Sequence, residues 1–360
     1  MQYICNLKKP LSTFRKTIQH PLGLIGFIIV SLFFIMGILG NLITPDKTSN
    51  TNLINLPIAL LKPMSKIQFF RVENPNQKPF FEAWINGQNE PLYNTAINAY
   101  TIKNDSIILS LYYPEKTVTE KLSLSSLPAP YKIETQTFLL GTDGFGRDVY
   151  SRIVLGSRVS LAVGIVAVLV SLFLIGTALG LIAGYYRGKT DLTISWFINV
   201  IWSLPTMLLV AAISFALGKG FWQIFIAIGI SSWVEVARVV RGQVFSLREK
   251  EFIQAAKILG YSPFRIMFKH LLPNLKSTLI VLAISVFGSA ILLESGLSFL
   301  GFGISPPAPS WGMMVKENYP YIMWDNAYLA IVPGFVIMLL VMGFNFLGIA
   351  LRDALDIHLK

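Results

Sequence analysis

Six stretches of the chain are apolar enough to read as membrane-spanning helices, and one long stretch between the first two is not. Residues 22–43 carry no charge, and a helix rising about 1.5 Å per residue needs about 20 residues to cross about 30 Å of hydrocarbon. Five further apolar runs follow at 159–183, 192–217, 221–236, 275–300 and 327–350. The pattern predicts an all-α integral membrane protein with six transmembrane helices. Pro205 interrupts the third run; it removes a backbone donor and predicts a bend that frees a carbonyl.

Residues 44–157 read differently. Eleven basic and ten acidic side chains in this segment exclude it from lipid. Strand-like runs at 107–113 and 117–124, and an Asn86-Gly87 pair after Trp84 and Ile85, predict short strands with a tight hairpin at Asn86-Gly87. Asn74-Pro75, Pro79 and residues 128–130 mark its turns and its exit. The chain thus divides into a cytosolic N-terminus and first helix (1–43), a small β-rich extracytoplasmic insert with its loop (44–157), and a five-helix core (158–360).

Composition agrees: 53% hydrophobic and 14% charged residues, with mean hydropathy +0.59, exceed the needs of one soluble core. The net charge of +11 changes the picture only through its placement. Lys8, Lys9, Arg15 and Lys16 precede the first run; Arg187 and Lys189 lie in 185–191. Residues 237–274 hold Arg238, Arg241, Arg248, Lys250, Lys257, Arg265 and Lys269 against Glu249 and Glu251. The opposite loops have Lys219 alone, and Lys316 balanced by Glu317 and Asp325. This bias puts both termini in the cytoplasm and makes the lipid bilayer, not nucleic acid, the partner of the basic residues. The first run lacks a small-residue cleavage site and reads as a retained anchor. The single cysteine, Cys5, allows no intrachain disulfide, and His20, His270 and His358 have no ligand spacing, so no metal site is expected. No G-x-x-x-x-G-K-[ST] run occurs. The chain is therefore expected to bind no cofactor and to hydrolyse no ATP itself.

The cytosolic loop 237–274 is patterned. Phe252, Ala255, Ala256 and Leu259 recur at helical spacing, Gly260 stands where a helix ends in positive φ, and Ser262-Pro263 reads as an N-cap with proline in the first turn. Two short helices joined by a bend follow, before Pro273-Asn274 opens the next span. Small alanines allow close approach of a partner, and Phe252 and Leu259 can fill an apolar cleft; an amphipathic helix lying on lipid headgroups fits the same spacing. Glu294, deep in an apolar span, either lines a pathway or holds helices together, and Glu235, nearer the inner end, has Arg238 as a candidate partner. Asp143, Arg147 and Asp148 lie in a glycine-rich turn, where they pair or cap rather than catalyse.

Gln254-Ala255-Ala256, then Gly260, then His270-Leu271-Leu272-Pro273 resembles the EAA motif of ABC importer permease subunits, with Gln254 where Glu is usual and His270 where Ile is common. Gly141-Thr142-Asp143, Gly146-Arg147-Asp148, Glu294-Ser295-Gly296, Pro309-Ser310-Trp311-Gly312 and Leu351-Arg352-Asp353-Ala354-Leu355-Asp356 are similar to the second, C-type permease of dipeptide and oligopeptide importers. The resemblance covers about residues 138–356. It implies a type I importer fold in the bacterial inner membrane and half of a translocation pathway for peptides. The implied partners are a sister permease, two ATP-binding subunits that hold ATP and Mg, and an extracytoplasmic peptide-binding protein. Phe252, Gln254, Ala255, Ala256, Leu259, Gly260 and Pro273 would couple to the ATPases, and Pro205 and Glu294 would belong to the pathway or its gate. Nickel chelates or other small solutes are the alternative cargo. An ion-coupled secondary transporter is the alternative mechanism, and it predicts internal repeats around midplane charges.

Overall fold

The computed structural model describes residues 10–113, 118–218, 220–304, 306–323 and 325–355. Cys5, Lys8, Lys9, Thr117, Lys219, Asp356 and His358 of the sequence reading lie outside them. Along the chain the elements are α1 (Pro10–Gln19), α2 (Pro21–Ile43), β1 (Ser65–Val72), α3 (Phe80–Asn86), β2 (Tyr93–Lys103), β3 (Ser106–Leu111), β4 (Val118–Ser123) and β5 (Tyr131–Phe138). Helix α4 (Val149–Val168) runs through a π-helical stretch, Leu169–Gly176, into α5 (Thr177–Tyr186). Then come α6 (Gly188–Trp202), α7 (Thr206–Ala216), α8 (Phe221–Arg248), α9 (Glu251–Ile258), α10 (Pro263–Ile266), α11 (Leu272–Asn274), α12 (Lys276–Leu300), α13 (Trp311–Asn318) and α14 (Tyr328–Leu355).

Among the described residues five helices are long and apolar enough to cross a membrane, and six spans result if α6 and α7 count as one. The bend expected at Pro205 is present: the third run is two helices bent by 96° around Pro205, which caps α7 in extended conformation. Proline cannot donate to the preceding turn, so the ladder stops and restarts. The fourth span also outruns its apolar stretch: α8 continues to Arg248, because basic side chains tolerate the helix as well as apolar ones do.

The chain forms two compact units. One comprises Phe34–Val159 and Ser305–Phe335, adding the latter segment to the predicted insert. Its five strands form an antiparallel sheet in the order β4-β3-β2-β1-β5. Strand β1, between β2 and β5, is apolar on both faces: Ile67 and Phe69 pack with Ile58, Ala96 and Phe138, while Phe70 and Val72 pack with Ile97, Ile107 and Leu109. The tight hairpin is not at Asn86-Gly87. Residues Phe80–Asn86 are helical, and Gly87, at φ 71°, ends that helix by donating to the Ala83 carbonyl. The turn between paired strands lies instead at Asn104-Asp105, where Lys103 pairs with Ser106. An Asn-Gly pair suits a helix end as well as a hairpin, and Phe80, Phe81, Trp84 and Ile85 carry helical, not alternating, periodicity.

The glycine-rich turn of this unit is a buried ion network. Asp143 accepts from the backbone of Phe145 (2.9 Å) and Arg147 (3.0 Å) and from Arg147 Nε (2.8 Å). Arg147 also reaches Glu317 at 2.6 Å and Asn52 at 3.2 Å, and Arg152 lies 3.6 Å from Asp143 and 3.4 Å from Glu317. Gly146 has φ 72°, and a Cβ there would sit 1.8 Å from the Asn55 carbonyl. Asp148 caps α4, accepting from the Ser151 backbone and hydroxyl. Burial pushes its carboxyl up to about 6, with nearby Asp46 adding to the shift against the Ser151 hydrogen bonds.

The other unit comprises Met1–Phe33, Ser160–Ile304 and Val336–Lys360. It contains a close-packed run of glycines that the apolar pattern hides. Methyl groups at Gly176, Gly180 and Gly184 would lie 2.6, 2.7 and 2.6 Å from the Cβ atoms of Val236, Val240 and Val244 on α8. Small residues four apart let membrane helices approach closely and gain dispersion contacts where no hydrophobic driving force exists between them.

Candidate functional site

The loop 237–274 builds a knuckle from its ends inward. Helix α8 stops at Arg248, and the next helix is held against that stop by Gln254, whose side-chain amide donates to the Arg248 carbonyl at 3.0 Å. This gives a physical role to the departure at Gln254, because an ionised glutamate has no proton to donate. Helix α9 then ends in a paired motif: Gly260, at φ 75°, donates to Lys257 O (2.9 Å), and Tyr261 donates to Ala256 O (3.1 Å). That is the Schellman arrangement, which a left-handed glycine favours. Ser262 accepts from the Arg265 backbone at 3.4 Å, with Pro263 opening α10. A π-helical turn, Met267–Leu271, precedes α11, and the Asn274 side chain donates to His270 O at 2.6 Å. Pro273 cannot donate to its own preceding turn, and the wider π turn absorbs that loss.

Charges pin the knuckle to the neighbouring helices. Arg187 meets Glu249 at 2.5 Å, and Arg241 forks onto Asp191, with Nη2 to Oδ2 at 2.7 Å. The same arginines supply the positive-inside signal. Lys257 and Arg248 both lie over the Tyr185 ring, and burial together with the Arg248 charge lowers the Lys257 pKa despite Glu249. Tyr261 is stacked on His270 and carries Arg265 on its ring at 4.1 Å.

The knuckle has an inner and an outer side. Ile253, Ala256, Ile266, Met267 and Leu271 are buried within the chain. Of the two alanines expected to face a partner, Ala256 therefore packs inward, and only Ala255 lies on the outer side with Phe252 and Leu259. Three apolar residues join that outer surface that spacing alone did not single out. They are Ile258, 87% exposed, and Phe264 and Phe268, whose rings lie 4.3 Å apart. The i, i+4 spacing of the two phenylalanines was the available signal.

The two candidate pathway residues occupy different settings. Pro205 is exposed at the α6–α7 bend. Glu294 is fully buried in α12 and accepts from Ser298 Oγ at 2.6 Å; that hydroxyl also accepts from Ile304 N. The carboxylate thus braces the end of α12. Their segments meet at Gly296 and Met207, where a Cβ would lie 3.0 Å from Met207 Cε. Glu235 is exposed, and Arg238 does not face it: the guanidinium lies 3.5 Å from the centroid of the Trp202 ring.

Residues 176–360, which include the whole knuckle, match the model of the family described as binding-protein-dependent transport system inner membrane component. The chain belongs to that family. As an inner-membrane component of this kind it is a multi-pass membrane protein that works in systems depending on a binding protein. Curated relatives include the dipeptide transport system permease protein DppC of Alkalihalophilus pseudofirmus, 46% identical over 220 residues, 61% of this chain and 72% of the relative. The glutathione transport system permease protein GsiD of Pectobacterium atrosepticum is 41% identical over 61% of this chain and 73% of its own length. The oligopeptide transport system permease protein OppC of Haemophilus influenzae is 42% identical over 60% of this chain and 69% of its own length. Among solved structures, an inward-facing form of the MetNI methionine ABC transporter aligns with 57% of this chain and 96% of its own, at 20% identity and a TM-score of 0.48.

Proposed function

We propose that this chain is one of two membrane-spanning subunits of an ATP-driven peptide importer, and that its knuckle docks an ATPase subunit. One observation carries the docking: a rigid, internally hydrogen-bonded knuckle exposes Phe252, Ile258, Leu259, Phe264 and Phe268 together. An exposed apolar patch on a pinned scaffold marks an interaction site. Closure of two partner ATPases, which hold ATP and Mg, would push on Phe252, Ala255, Leu259 and Gly260. Gln254 and Pro273 would pass that motion into α8 and α12. The bend at Pro205 is the point in the spans where a helix pair can swing without breaking an intact ladder.

Peptide is the cargo that the dipeptide, oligopeptide and glutathione relatives favour. The positive-inside arginines favour a cytoplasmic knuckle and cytoplasmic termini, and a binding protein would deliver cargo on the opposite side.

A mild-detergent pull-down of tagged chain from native membranes tests the reading, comparing wild type with Gly260→Trp and Leu259→Asp. Wild type is expected to retain two P-loop ATPases and a sister permease, with the ATPases lost from both variants. Wild type recovered alone, and transporting under an ion gradient, would overturn the proposal in favour of a secondary transporter. Wild type retaining ATPases that both variants retain equally would move the dock elsewhere.

A further inference from the structure

The helix α3, which the alternating pattern of the insert did not anticipate, has no place in the transport reading. Its seven residues are amphipathic. At about 100° per residue, Phe80, Trp84, Phe81 and Ile85 fall within about 140° of one face, with Glu82 and Asn86 opposite. Phe80, Phe81 and Ile85 are largely exposed, Phe81 at 71%.

Its position is fixed against the end of the α2 span. Trp84 Nε1 donates to the Ile38 carbonyl at 2.7 Å. Asn41 donates to the carbonyl of Trp84 at 2.9 Å and of Ile85 at 3.2 Å. Arg158 donates to Gly37 O (2.6 Å), Ile85 O (2.7 Å) and Trp84 O (3.0 Å). Ile38 lies five residues before the last residue of α2, which is about 7 Å along the axis. Ile35, Ile38, Leu42 and Ile43 expose apolar surface on that part of α2.

Two features separate this helix from an ordinary surface helix. The carbonyls at its C-terminal end, which water would normally satisfy, are bonded by an amide and a guanidinium from the protein, the solution a water-poor setting requires. Phe80 and Trp84 lie beside Leu42 near the end of α2, and tryptophan and phenylalanine collect where spans end at membrane interfaces.

We infer that α3 is an interfacial anchor: its Phe80, Phe81 and Ile85 face lies in the lipid leaflet on the insert's side of the membrane and holds the insert at the bilayer surface. The inference rests on α2 as a membrane span and is independent of cargo and of the ATPase dock.

Phe81→Cys, Glu82→Cys and Ile35→Cys, each on a Cys5→Ser background, carry a fluorescent thiol label in the full chain reconstituted in lipid nanodiscs. Two quenchers are compared, a nitroxide high on the lipid acyl chain and iodide in the water. The label at 81 is expected to be quenched several-fold more by the lipid nitroxide than by iodide, and the label at 82 to show the reverse. Ile85→Cys repeats the measurement on the same face should the variant at 81 fail to fold. Equal iodide access at 81 and 82 would overturn the anchor, and so would a label at 81 that neither quencher reaches, since protein would then cover the face. If the label at 35 also escapes the lipid nitroxide, the membrane reading of α2 falls and takes the anchor with it.

Discussion

The two compact units of this chain are held together by different contacts. In the insert unit, Asp143, Arg147 and Arg152 are almost wholly buried and Glu317 is mostly so, with two arginines facing two carboxylates across 2.6 to 3.6 Å. In the helical unit a close seam is made by glycine, with Gly176, Gly180 and Gly184 against Val236, Val240 and Val244. The difference follows from the solvent. A unit bathed in water gains by burying Phe69 and Phe70, and it can hold a desolvated ion network if every charge is matched. Helices in lipid gain nothing from hiding one apolar surface behind another, so they must gain from contact itself.

The comparison breaks most sharply at Arg147. Arg147→Ala should leave Asp143 and Glu317 short of a partner and destabilise the insert unit by about 3 to 5 kcal/mol. Limited proteolysis in the sheet, compared with cleavage in the 237–274 loop, reads this; equal sensitivity in both would show that the units are not separate in stability.

The next largest effect concerns pH. The folded Asp148 carboxyl titrates near 6, above the ordinary 3.8. Between those values the folded chain holds a proton that the unfolded chain does not. Stability of the insert unit should therefore rise as pH falls through about 6 towards about 4, by at most about 3 kcal/mol from this group. Asp148→Asn should be the more stable protein at pH 7.5 and lose that advantage at pH 4; thermal melts of the two across pH measure the difference. A variant less stable at both pH values would mean that the Ser151 bonds outweigh desolvation.

For the helical unit, Gly180→Val should cost about 1 to 3 kcal/mol by overpacking against Val240. Gly242→Ala, where no atom lies within 4 Å of the new Cβ, should gain up to about 1 kcal/mol. Detergent melting temperatures should move in opposite directions; a shift of the same sign at both would deny that close packing distinguishes them.

The smallest effect sharpens the knuckle. Gln254→Glu should remove the donor to Arg248 O and cost about 1 kcal/mol, read as faster hydrogen exchange in α9 with the spans unchanged.

Much of this was legible beforehand. The first span, the β-rich character of the insert and the bend of the knuckle follow from local rules: apolar run length, strand alternation, glycine after a helix and Ser-Pro before one. Gly260 and Ser262 behave as their chemistry requires because a helix end is settled by its nearest few residues. Asn86-Gly87 misled because the same pair serves two geometries, and the choice was made by the aromatic residues before it. Ala256 misled because periodicity places residues on a common helix but does not say which face the rest of the chain covers. Glu235 and Arg238 share a helix turn, yet the arginine found Trp202, a neighbour distant in sequence.

Sequence by itself determined where the chain meets lipid, which segment remains polar and where short helices begin and end, since these depend on the solvent preference and backbone freedom of neighbouring residues. Tertiary structure alone decided that Glu317 completes a network begun at Asp143, that Gly176, Gly180 and Gly184 form a seam, and that α3 is tied to α2 through Trp84, Asn41 and Arg158. Each of these joins residues from 43 to 174 positions apart or fixes which helix face is covered. Such pairings depend on how whole elements pack, which no local pattern of side chains contains.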